Sequence, residues 1–310
     1  MSTRPGKNER AERRYVIGAH TYEAGTIAPG LHVVATPIGN LADISLRALA
    51  TLAGAGLIAC EDTRVTRRLL DRYAIATPLT AYHDHNAEQA RPKLLERLRE
   101  GAAIALVSDA GTPLVSDPGF KLVRAAHEAG YPVTAVPGAS ATLAALSVAG
   151  LPTDAFLFAG FLSPKQAARR ARIAELAGIP ATLVLFETGP RIANALADLA
   201  AGLGEREVAL CRELTKMHEE VRRGELAALA QHYAAETAEI RGEIVVVIGP
   251  PRAAAQPSSG DTDALLRQAL ARVSLKDAVG EVAHVTGYSR RDLYRRALLL
   301  AKERSDGTPR

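Results

Sequence analysis

The sequence has little cysteine and no long apolar run. Its two cysteines, Cys60 and Cys211, lie far apart within apolar segments, which suits buried free thiols in a reducing compartment better than a disulfide framework. No stretch of about eighteen uninterrupted apolar residues occurs. The first residues, MSTRPGKNERAERR, are polar and basic, unlike a signal peptide. We therefore expect a cytoplasmic protein with no membrane partner.

Tryptophan is absent, and aromatic residues make up only 4% of the chain. This shortage argues against an aromatic stacking platform of the RRM type. A phosphate-binding loop of the form G-x-x-x-x-G-K-[ST] is also missing, which leaves an NTPase without support. His83-Asp84-His85 offers metal-binding side chains, but no further cluster completes a site. We predict no metal, and interpret the segment as a helix-capping loop or as a substrate contact through His83.

Charge is concentrated at the two ends of the chain. Residues 1–30 carry a net charge of +2 and residues 261–310 carry +3, while the whole chain carries only +4. Basic ends on a nearly neutral body suit a protein that holds a polyanion. The alternative is a pair of solvated tails that aid solubility.

From Leu31 onward, short apolar runs alternate with helical patterns. The runs LHVVAT, LIACE, AIALVSD and VTAVP are separated by predicted helices, which indicates a mostly parallel sheet covered on both faces. After Leu151-Pro152-Thr153, four more strands are predicted at FLFAGF, TLVLFE, EVALCREL and GEIVVVIG. The fold class is therefore α/β, with a doubly wound domain followed by a second α/β domain.

These patterns divide the chain into five predicted parts. They are a basic flexible extension (1–30), an N-terminal α/β domain (31–143), a C-terminal α/β domain (144–250), a linker rich in Pro, Ala, Ser and Gly (251–263) and a basic helical tail (264–310).

The tail has the layout of a helix-turn-helix. Ser274 and Ser289 are predicted to cap two helices joined by a left-handed turn at Gly287, and the side chains expected to point inward are Ala278, Val282, Leu293, Ala297 and Leu298. Arg291 and Arg295 then lie one turn apart on the opposite face. They either contact a nucleic-acid groove or phosphates, or form a solvated or domain-docking surface.

Three loops of small residues are predicted to meet at the carboxyl edge of the first sheet. The first, TPIGN, contains Pro37 and Gly39, and Gly39 lets a ligand approach the backbone. The second, SDAGTP, contains Asp109 and Gly111, and the third, VPGAS, contains Pro137, Gly138 and Ser140. Ligands of α/β proteins bind at this edge. Each loop alone is an ordinary βα turn, but their convergence favours a binding site. The motif GAGLIA at Gly54 ends a helix instead of opening one, so it is no dinucleotide loop.

Two charged segments leave strands in the same regions. Glu61-Asp62-Thr63-Arg64 follows LIAC, and Arg212-Glu213-Leu214-Thr215-Lys216 leaves a strand of the second domain. Each segment is either a set of substrate-facing groups or a helix cap and surface ion pairs.

Seven segments in register resemble a known family. TPIGNLADIS, CEDTR, SDAGTPLVSDPG, VPGASA, GLPTD, RELTK and RGE are similar to the ribosomal RNA small-subunit methyltransferase I group within the tetrapyrrole methylase superfamily, over about Leu31 to Gly249. The resemblance implies a homodimer that binds S-adenosylmethionine between two α/β domains. It also implies methylation of the ribose 2′-oxygen of a cytidine in the decoding region of 16S rRNA, in the small ribosomal subunit.

The resemblance also implies roles for individual residues. Pro37, Asp109, Gly111 and Gly138 would line the cofactor together with Phe186 and Leu210, whereas Glu61, Asp62, Arg64 and Lys216 would face the RNA. The segment Thr188-Gly189-Pro190 departs from the order small residue, Pro, His that the family shows after Glu.

The general base stays open among three residues. A ribose hydroxyl must lose its proton, and the candidates are Glu61, Asp62 and Lys216, the last only if its pKa is lowered. Two rival functions are a tetrapyrrole precursor methyltransferase and a non-catalytic RNA-binding assembly factor.

Overall fold

The computed structural model describes residues 13–116, 119–238, 240–252, 259–286 and 288–306. It divides the chain into two units, Met1–Pro251 and Arg252–Arg310. Within the described residues, no helix is both long enough and apolar enough to span a membrane.

A β-hairpin precedes the first sheet. Strands β1 (Arg14–Ile17) and β2 (His20–Glu23) are antiparallel. Tyr15 is buried in the core of the first domain, and Val16 N–H donates to Tyr73 O at 2.8 Å. The prediction of a flexible extension over 1–30 is therefore wrong for this stretch, because a buried tyrosine and a backbone hydrogen bond attach it to the domain. Residues 1–12 lie outside the described residues.

The first sheet is parallel and doubly wound, as the alternating pattern predicts. Its strands are β3 (Gly30–Val34), β4 (Leu57–Cys60), β5 (Leu79–Ala81), β6 (Ala103–Val107) and β7 (Val133–Val136), in the spatial order β5-β4-β6-β3-β7. Helices α1 (Leu46–Gly54) and α2 (Thr63–Arg72) pack on one face. Helices α3 (Ala87–Arg99) and α4 (Phe120–Glu128) cover the other. With both faces covered, central strands such as LIAC are apolar throughout.

The second sheet is mixed and mostly antiparallel. Its strands are β8 (Phe156–Phe161), β9 (Thr182–Thr188), β10 (Glu207–Arg212), β11 (Glu220–Glu225) and β12 (Glu243–Ile248), in the order β11-β10-β12-β9-β8. Among the described strands of this sheet, β8 and β9 form the one parallel pair, and the other pairs are antiparallel. Helices α6 (Gln166–Ala177), α7 (Gly189–Leu203) and α8 (Leu226–Ala235) cover one face.

Helix α5 (Ala141–Ala149) covers the other face of the second sheet. Its Ala145, Leu146 and Ala149 pack with residues of β9, β10 and β12 such as Val184 and Val247. The predicted domain boundary at 143/144 therefore falls inside a helix whose buried face belongs to the second sheet.

The second unit is a three-helix bundle. Helices α9 (Ser259–Leu270), α10 (Leu275–Thr286) and α11 (Arg290–Asp306) share one core. Helix α9 begins inside the predicted linker, because Thr262 and Asp263 are buried there and Asp263 accepts a hydrogen bond from Arg296 at 2.7 Å. Leu293 and Ala297 are inward as predicted, but Leu300 occupies the core while Leu298 is exposed. Gly287 and residues 253–258 of the predicted linker lie outside the described residues.

Candidate functional site: a double cavity at the edge of the first sheet

Hydrogen bonds join the three predicted loops at the carboxyl edge of the first sheet. Thr36 and Gly111 exchange backbone hydrogen bonds of 2.8 and 2.9 Å, and Thr36 Oγ1 donates to Ser108 O at 3.2 Å. Thr112 Oγ1 donates to Ala139 O at 3.1 Å, which ties the second loop to the third. The convergence of these loops is therefore a property of the fold.

A first cavity of about 250 Å³ lies between these loops and the second sheet. Of the residues predicted to line the cofactor, Gly111, Ser140 and Phe186 are in its wall. Phe186 packs edge-on against Phe158 and Phe161, at centroid distances of 4.8 and 5.5 Å. Aromatic rings and small-residue backbone suit a ligand that is partly apolar and partly cationic.

Thr142 supplies an unused polar group in this wall. The residue is 5% exposed, and its Oγ1 is buried with no hydrogen-bond partner among the described residues. Buried hydroxyls are nearly always satisfied, so this one is available to a ligand.

A second cavity of about 350 Å³ adjoins the first. The two cavities share Ile38, Ala110 and Glu243 in their walls. Pro37, Gly39, Asp109 and Lys216 line the second cavity and not the first. The predicted single pocket is therefore divided into two compartments.

Three residues predicted to bind the cofactor line neither cavity. Leu210 packs in the core on the helix-covered face of the second sheet, because side chains alternate along a strand, and Cys211 faces the first cavity instead. Pro137 and Gly138 are exposed. Gly138 has a packing role, since an added Cβ would lie 3.1 Å from the Ala35 Cβ.

The carboxylates near helix α2 organise its first turn. Asp109 Oδ1 accepts the Asp62 N–H at 2.9 Å. Asp62 caps the helix by accepting the Arg64 N–H at 2.7 Å, and its side chain pairs with the Arg64 guanidinium at 2.6 Å. The hydrogen bond from the Arg64 side chain lowers the pKa of Asp62 to about 2. A carboxylate of such low basicity is a poor general base.

Lys216 is held between two glutamates. Its Nζ donates to Glu213 Oε1 at 2.8 Å and to Glu243 Oε2 at 2.9 Å. Burial lowers the pKa of Lys216, but the hydrogen bonds to the two carboxylates outweigh it, so that the net shift is upward. Lys216 is therefore an ammonium ion at neutral pH. It was a candidate base only if its pKa were lowered, and its pKa is raised instead.

The loop that carries Lys216 has an unusual backbone. Glu213 and Thr215 adopt positive φ angles of +49° and +66°. Gly242, at φ +97°, leaves room for the Glu213 side chain, since a Cβ there would lie 2.6 Å from Glu213 Cγ. Glu213 also accepts the Glu243 N–H at 3.0 Å. Positive φ angles in residues other than glycine cluster at functional sites.

Other predicted substrate contacts are placed differently. Arg212 pairs with Glu220 at 3.0 Å. This agrees with the interpretation of its segment as surface ion pairs and not with a substrate-facing group. Arg64 is exposed and paired with Asp62. His83 lines neither cavity, and its backbone N–H donates to Asn86 Oδ1 at 2.9 Å, next to the start of helix α3. In the described part of the chain, no group of three His, Cys, Asp or Glu side chains is arranged to hold a metal ion.

The atypical segment Thr188-Gly189-Pro190 opens helix α7. A Cβ at Gly189 would lie 2.1 Å from Ile240 O, so only glycine fits there. Arg191 pairs with the buried Glu187 at 3.0 Å and donates to Leu162 O at 2.6 Å. The segment thus has a packing role beside the first cavity, which Glu187 and Thr188 line.

In the second unit, Arg291 and Arg295 are exposed on helix α11. Arg295 lies 3.9 Å from Asp292, whereas the neighbouring Arg296 is bonded to Asp263 of helix α9 at 2.7 Å. Two of the arginines on this helix are therefore presented outward, as the predicted phosphate contacts require.

Several site residues were missed by sequence reasoning. Thr66, Arg68 and Thr142 are ordinary residues of amphipathic helices, and nothing in their spacing marks them. Glu213 had a usable signal, because it lies in the charged segment with Lys216. Glu243 comes from a distant strand, and its contact with Lys216 exists only in the folded chain.

Comparisons with known proteins agree with this architecture. Residues 30–230 match the family model for tetrapyrrole (corrin/porphyrin) methylases, and residues 256–301 match the model for the RsmI C-terminal HTH domain. Ribosomal RNA small subunit methyltransferase I of Mesorhizobium japonicum is 51% identical over 94% of this chain and 99% of its own length. The Escherichia coli O157:H7 protein of the same name is 42% identical over 86% of this chain and 94% of its own.

Solved structures share the fold at much lower identity. A cobalt precorrin-4 methyltransferase of cobalamin biosynthesis superposes with a TM-score of 0.53 at 16% identity, covering 71% of this chain and 94% of that one. A diphthine synthase gives a TM-score of 0.52 at 18% identity, covering 71% and 89%. Since these two proteins share the fold but carry different names, the fold alone does not select the acceptor. The sequence relatives do: the chain belongs to the tetrapyrrole methylase family and, within it, to the group of ribosomal RNA small subunit methyltransferase I.

Proposed function

We propose that this protein transfers a methyl group from S-adenosylmethionine to the ribose 2′-oxygen of a cytidine in the decoding region of 16S rRNA. The observation that carries the proposal is the pair of adjoining cavities at the carboxyl edge of the first sheet. One compartment suits the methyl donor and the other suits an acceptor, as a two-substrate transfer requires. The name shared by relatives that are 51% and 42% identical supports rRNA as the acceptor.

The first cavity fits the methyl donor. Phe161 and Phe186 offer aromatic surface, Gly111 and Ser140 offer small-residue loops, and Thr142 offers an unsatisfied hydroxyl. When bound, S-adenosylmethionine supplies a methyl group whose bond to sulfur breaks, with the electron pair passing to sulfur, as the bond to the acceptor oxygen forms. The protein contributes mainly position and exclusion of water, which are worth about 7–11 kcal/mol in well-aligned reactions.

The wall of the second cavity holds two cations, Arg68 and Lys216, and two carboxylates, Asp109 and Glu243. We assign the N–H of the Lys216 ammonium ion that Glu213 and Glu243 leave unused to bind an oxygen of the RNA near the wall that the cavities share. Asp62 and Asp109 fix the start of helix α2. Of the three candidate bases, Asp62 has too low a pKa and Lys216 is protonated. Glu61, which precedes Asp62, lines neither cavity, and we assign none of the three candidates to the removal of the proton of the ribose hydroxyl.

We further propose that the enzyme acts in the cytoplasm as a homodimer and that the second unit helps to grip the RNA. Leu143 and Val148 are exposed on the outer face of helix α5, which is consistent with a partner there. Light scattering on the purified chain measures the mass directly. A monomeric mass at micromolar concentration would contradict the dimer.

One assay tests the activity. Purified protein is incubated with S-adenosylmethionine labelled in its methyl group and with small ribosomal subunits from a strain that lacks the gene. We expect label in 16S rRNA at a cytidine 2′-oxygen, located by mass spectrometry of nuclease fragments. Label found only in a porphyrinoid would support a tetrapyrrole methyltransferase. RNA binding without any transfer would support an assembly factor.

A further inference from the structure

The second cavity has the composition of a pocket for a planar ring. Leu41, Val65 and Leu69 give it apolar walls, and its volume is about 350 Å³. Enzymes that act on one nucleotide of a structured nucleic acid often turn that nucleotide out of its stack into such a pocket. There its faces meet apolar side chains, and its edge is read by hydrogen bonds.

The Thr66 hydroxyl is the group placed to form a hydrogen bond with the edge of such a ring. The residue lines the second cavity and is 3% exposed. Its N–H is used within helix α2, where Asp62 O accepts it at 3.1 Å. Its Oγ1 is buried and has no hydrogen-bond partner in the described part of the chain.

The neighbouring Cys60 thiol does not satisfy the hydrogen-bonding capacity of the Thr66 hydroxyl. Burial raises the pKa of this thiol, and its interaction with Thr66 lowers the pKa by less. A thiol is only a weak hydrogen-bonding group. The Thr66 hydroxyl, which can both donate and accept, therefore keeps its capacity for a bound molecule.

Arg68 provides positive charge at the same cavity. It is an exposed residue of the cavity wall, and no hydrogen bond or ion pair to another described residue engages its guanidinium. Lys216, in contrast, is already bonded to two glutamates. Arg68 is thus the cation of this wall best able to bind a phosphate group.

We propose that the second cavity receives the acceptor nucleotide of the RNA, turned out of its stack. Its base lies among Leu41, Val65 and Leu69 with its edge bonded to Thr66 Oγ1, and a flanking phosphate contacts Arg68. The ribose then falls near the wall shared with the first cavity. This inference rests on the proposed function and identifies the site for its acceptor.

The two buried threonines make a matched experiment. Thr66 and Thr142 each have an unsatisfied hydroxyl, one in each cavity. In the full chain, Thr66→Val should raise the half-saturating concentration of small subunits, or lower the transfer rate, by roughly three- to tenfold. The Kd for S-adenosylmethionine, measured by calorimetry, should not change. Thr66→Ser should restore transfer, and Thr142→Val should show the reverse pattern.

The arginines of helix α2 give a second, independent arm. Arg68→Ala should raise the half-saturating subunit concentration and lower the slope of its salt dependence by about one. Arg67→Ala removes the same charge from the neighbouring residue, which does not line the cavity. It should leave both quantities close to those of the unaltered protein. Circular dichroism confirms that each variant is folded.

Two results would overturn the inference while the proposed function stands. One result is that the unaltered protein methylates rRNA and the Thr66→Val variant transfers the methyl group equally well. The other is a Thr66→Val variant that loses cofactor affinity as strongly as Thr142→Val, which would make both cavities part of the cofactor site. If Thr66→Val does not fold, equal behaviour of Arg68→Ala and Arg67→Ala decides against the inference. Failure of the unaltered protein to methylate rRNA would instead defeat the proposed function.

Discussion

Gly39 shows how one missing side chain fixes the position of another residue. An added Cβ at Gly39 would lie 2.5 Å from Lys216 Cγ and 2.8 Å from Lys216 Cε. The lysine stem therefore crosses directly over the TPIGN loop on its way to Glu213 and Glu243. A glycine here lets the loop of one domain approach the charged loop of the other.

We predict that Gly39→Ala displaces Lys216 and reduces methyl transfer, by up to roughly 100-fold if the ammonium moves by about 1 Å. The measurement is kcat/KM with small subunits. Gly101→Ala is the control, because Gly101 also has a positive φ, +84°, but a Cβ there would meet nothing within 4 Å. It should cost about 1–2 kcal/mol of stability and leave transfer intact. Equal activity of the two variants would contradict the prediction.

Asp62 and Arg64 form the residue pair with the clearest pH dependence. The folded pKa of Asp62 is about 2, below the roughly 3.9 of an unfolded chain. Its carboxylate therefore stabilises the fold fully above about pH 4, and that contribution disappears as the pH falls through the folded pKa of about 2.

We predict a carboxyl titration midpoint of about 2 for Asp62, followed by NMR of the labelled side-chain carbon. Arg64→Met removes the side-chain donor but keeps the backbone N–H of the cap. The midpoint should then rise part of the way towards about 3.9. A midpoint that does not respond to Arg64→Met would show that the pair is not formed in solution.

At the scale of elements, helix α5 connects the site to the second sheet. Ser140 caps it, Thr142 lines the first cavity, and Leu146 packs on the sheet. The helix therefore carries both a residue of the cavity wall and a core residue, one turn apart. Loss of its packing is expected to disturb the first cavity as well as the stability.

Two leucines of helix α5 test this packing. Leu146 is 6% exposed and Leu143 is 55% exposed. Leu146→Ala should lower the free energy of unfolding by about 2–5 kcal/mol, because it leaves a cavity against the sheet. Leu143→Ala removes the same atoms from a side chain that is exposed in the single chain, and at a protein concentration low enough to keep the chain monomeric it should change the free energy of unfolding by less than about 0.5 kcal/mol. Urea unfolding measures the free energy of unfolding of both variants. Similar losses for the two would contradict the packing of Leu146 against the second sheet.

Some elements were visible in the sequence and others were not. The long periodic helices and the apolar strands of both sheets were predictable, because the spacing of apolar residues within each element indicates which of its faces is buried. Strand β11, EVRRGE, is polar and lies at the edge of the second sheet, and its extended backbone is stabilised by pairing with β10. Strand β5 has only three residues. Such elements depend on neighbours that a local pattern does not reveal.

At the scale of the whole molecule, the charge that favours RNA is carried partly by the second unit. Residues 261–310 have a net charge of +3. Arg291 and Arg295 present two cations outward from helix α11, whose Leu293, Ala297 and Leu300 are buried. This arrangement suits phosphate contacts more than packing.

We predict that Arg291→Ala/Arg295→Ala weakens binding to small subunits and lowers the salt slope of the affinity by about two. The control is Arg97→Ala/Arg99→Ala at the end of helix α3, which precedes the amino end of strand β6 and so lies at the edge of the sheet opposite the cavities. Filter binding at several salt concentrations measures both. Equal slopes for the two double variants would exclude helix α11 as a specific RNA contact.

Residue patterns alone were enough to predict the doubly wound first domain, the second α/β domain and the helical tail, because periodicity, capping and turn residues act over a few positions. They also predicted the convergence of three loops, because the carboxyl ends of parallel strands meet at one edge of a sheet. Folding was needed to establish that the loops enclose two compartments, that Leu210 faces the core while Cys211 faces the cavity, and that Lys216 keeps its proton. Those outcomes depend on which distant residues share a wall: the two glutamates that hold Lys216 are brought together by pairing between loop and strand. Burial and charge at a point are sums over all neighbours, and a chain acquires its neighbours only when it folds.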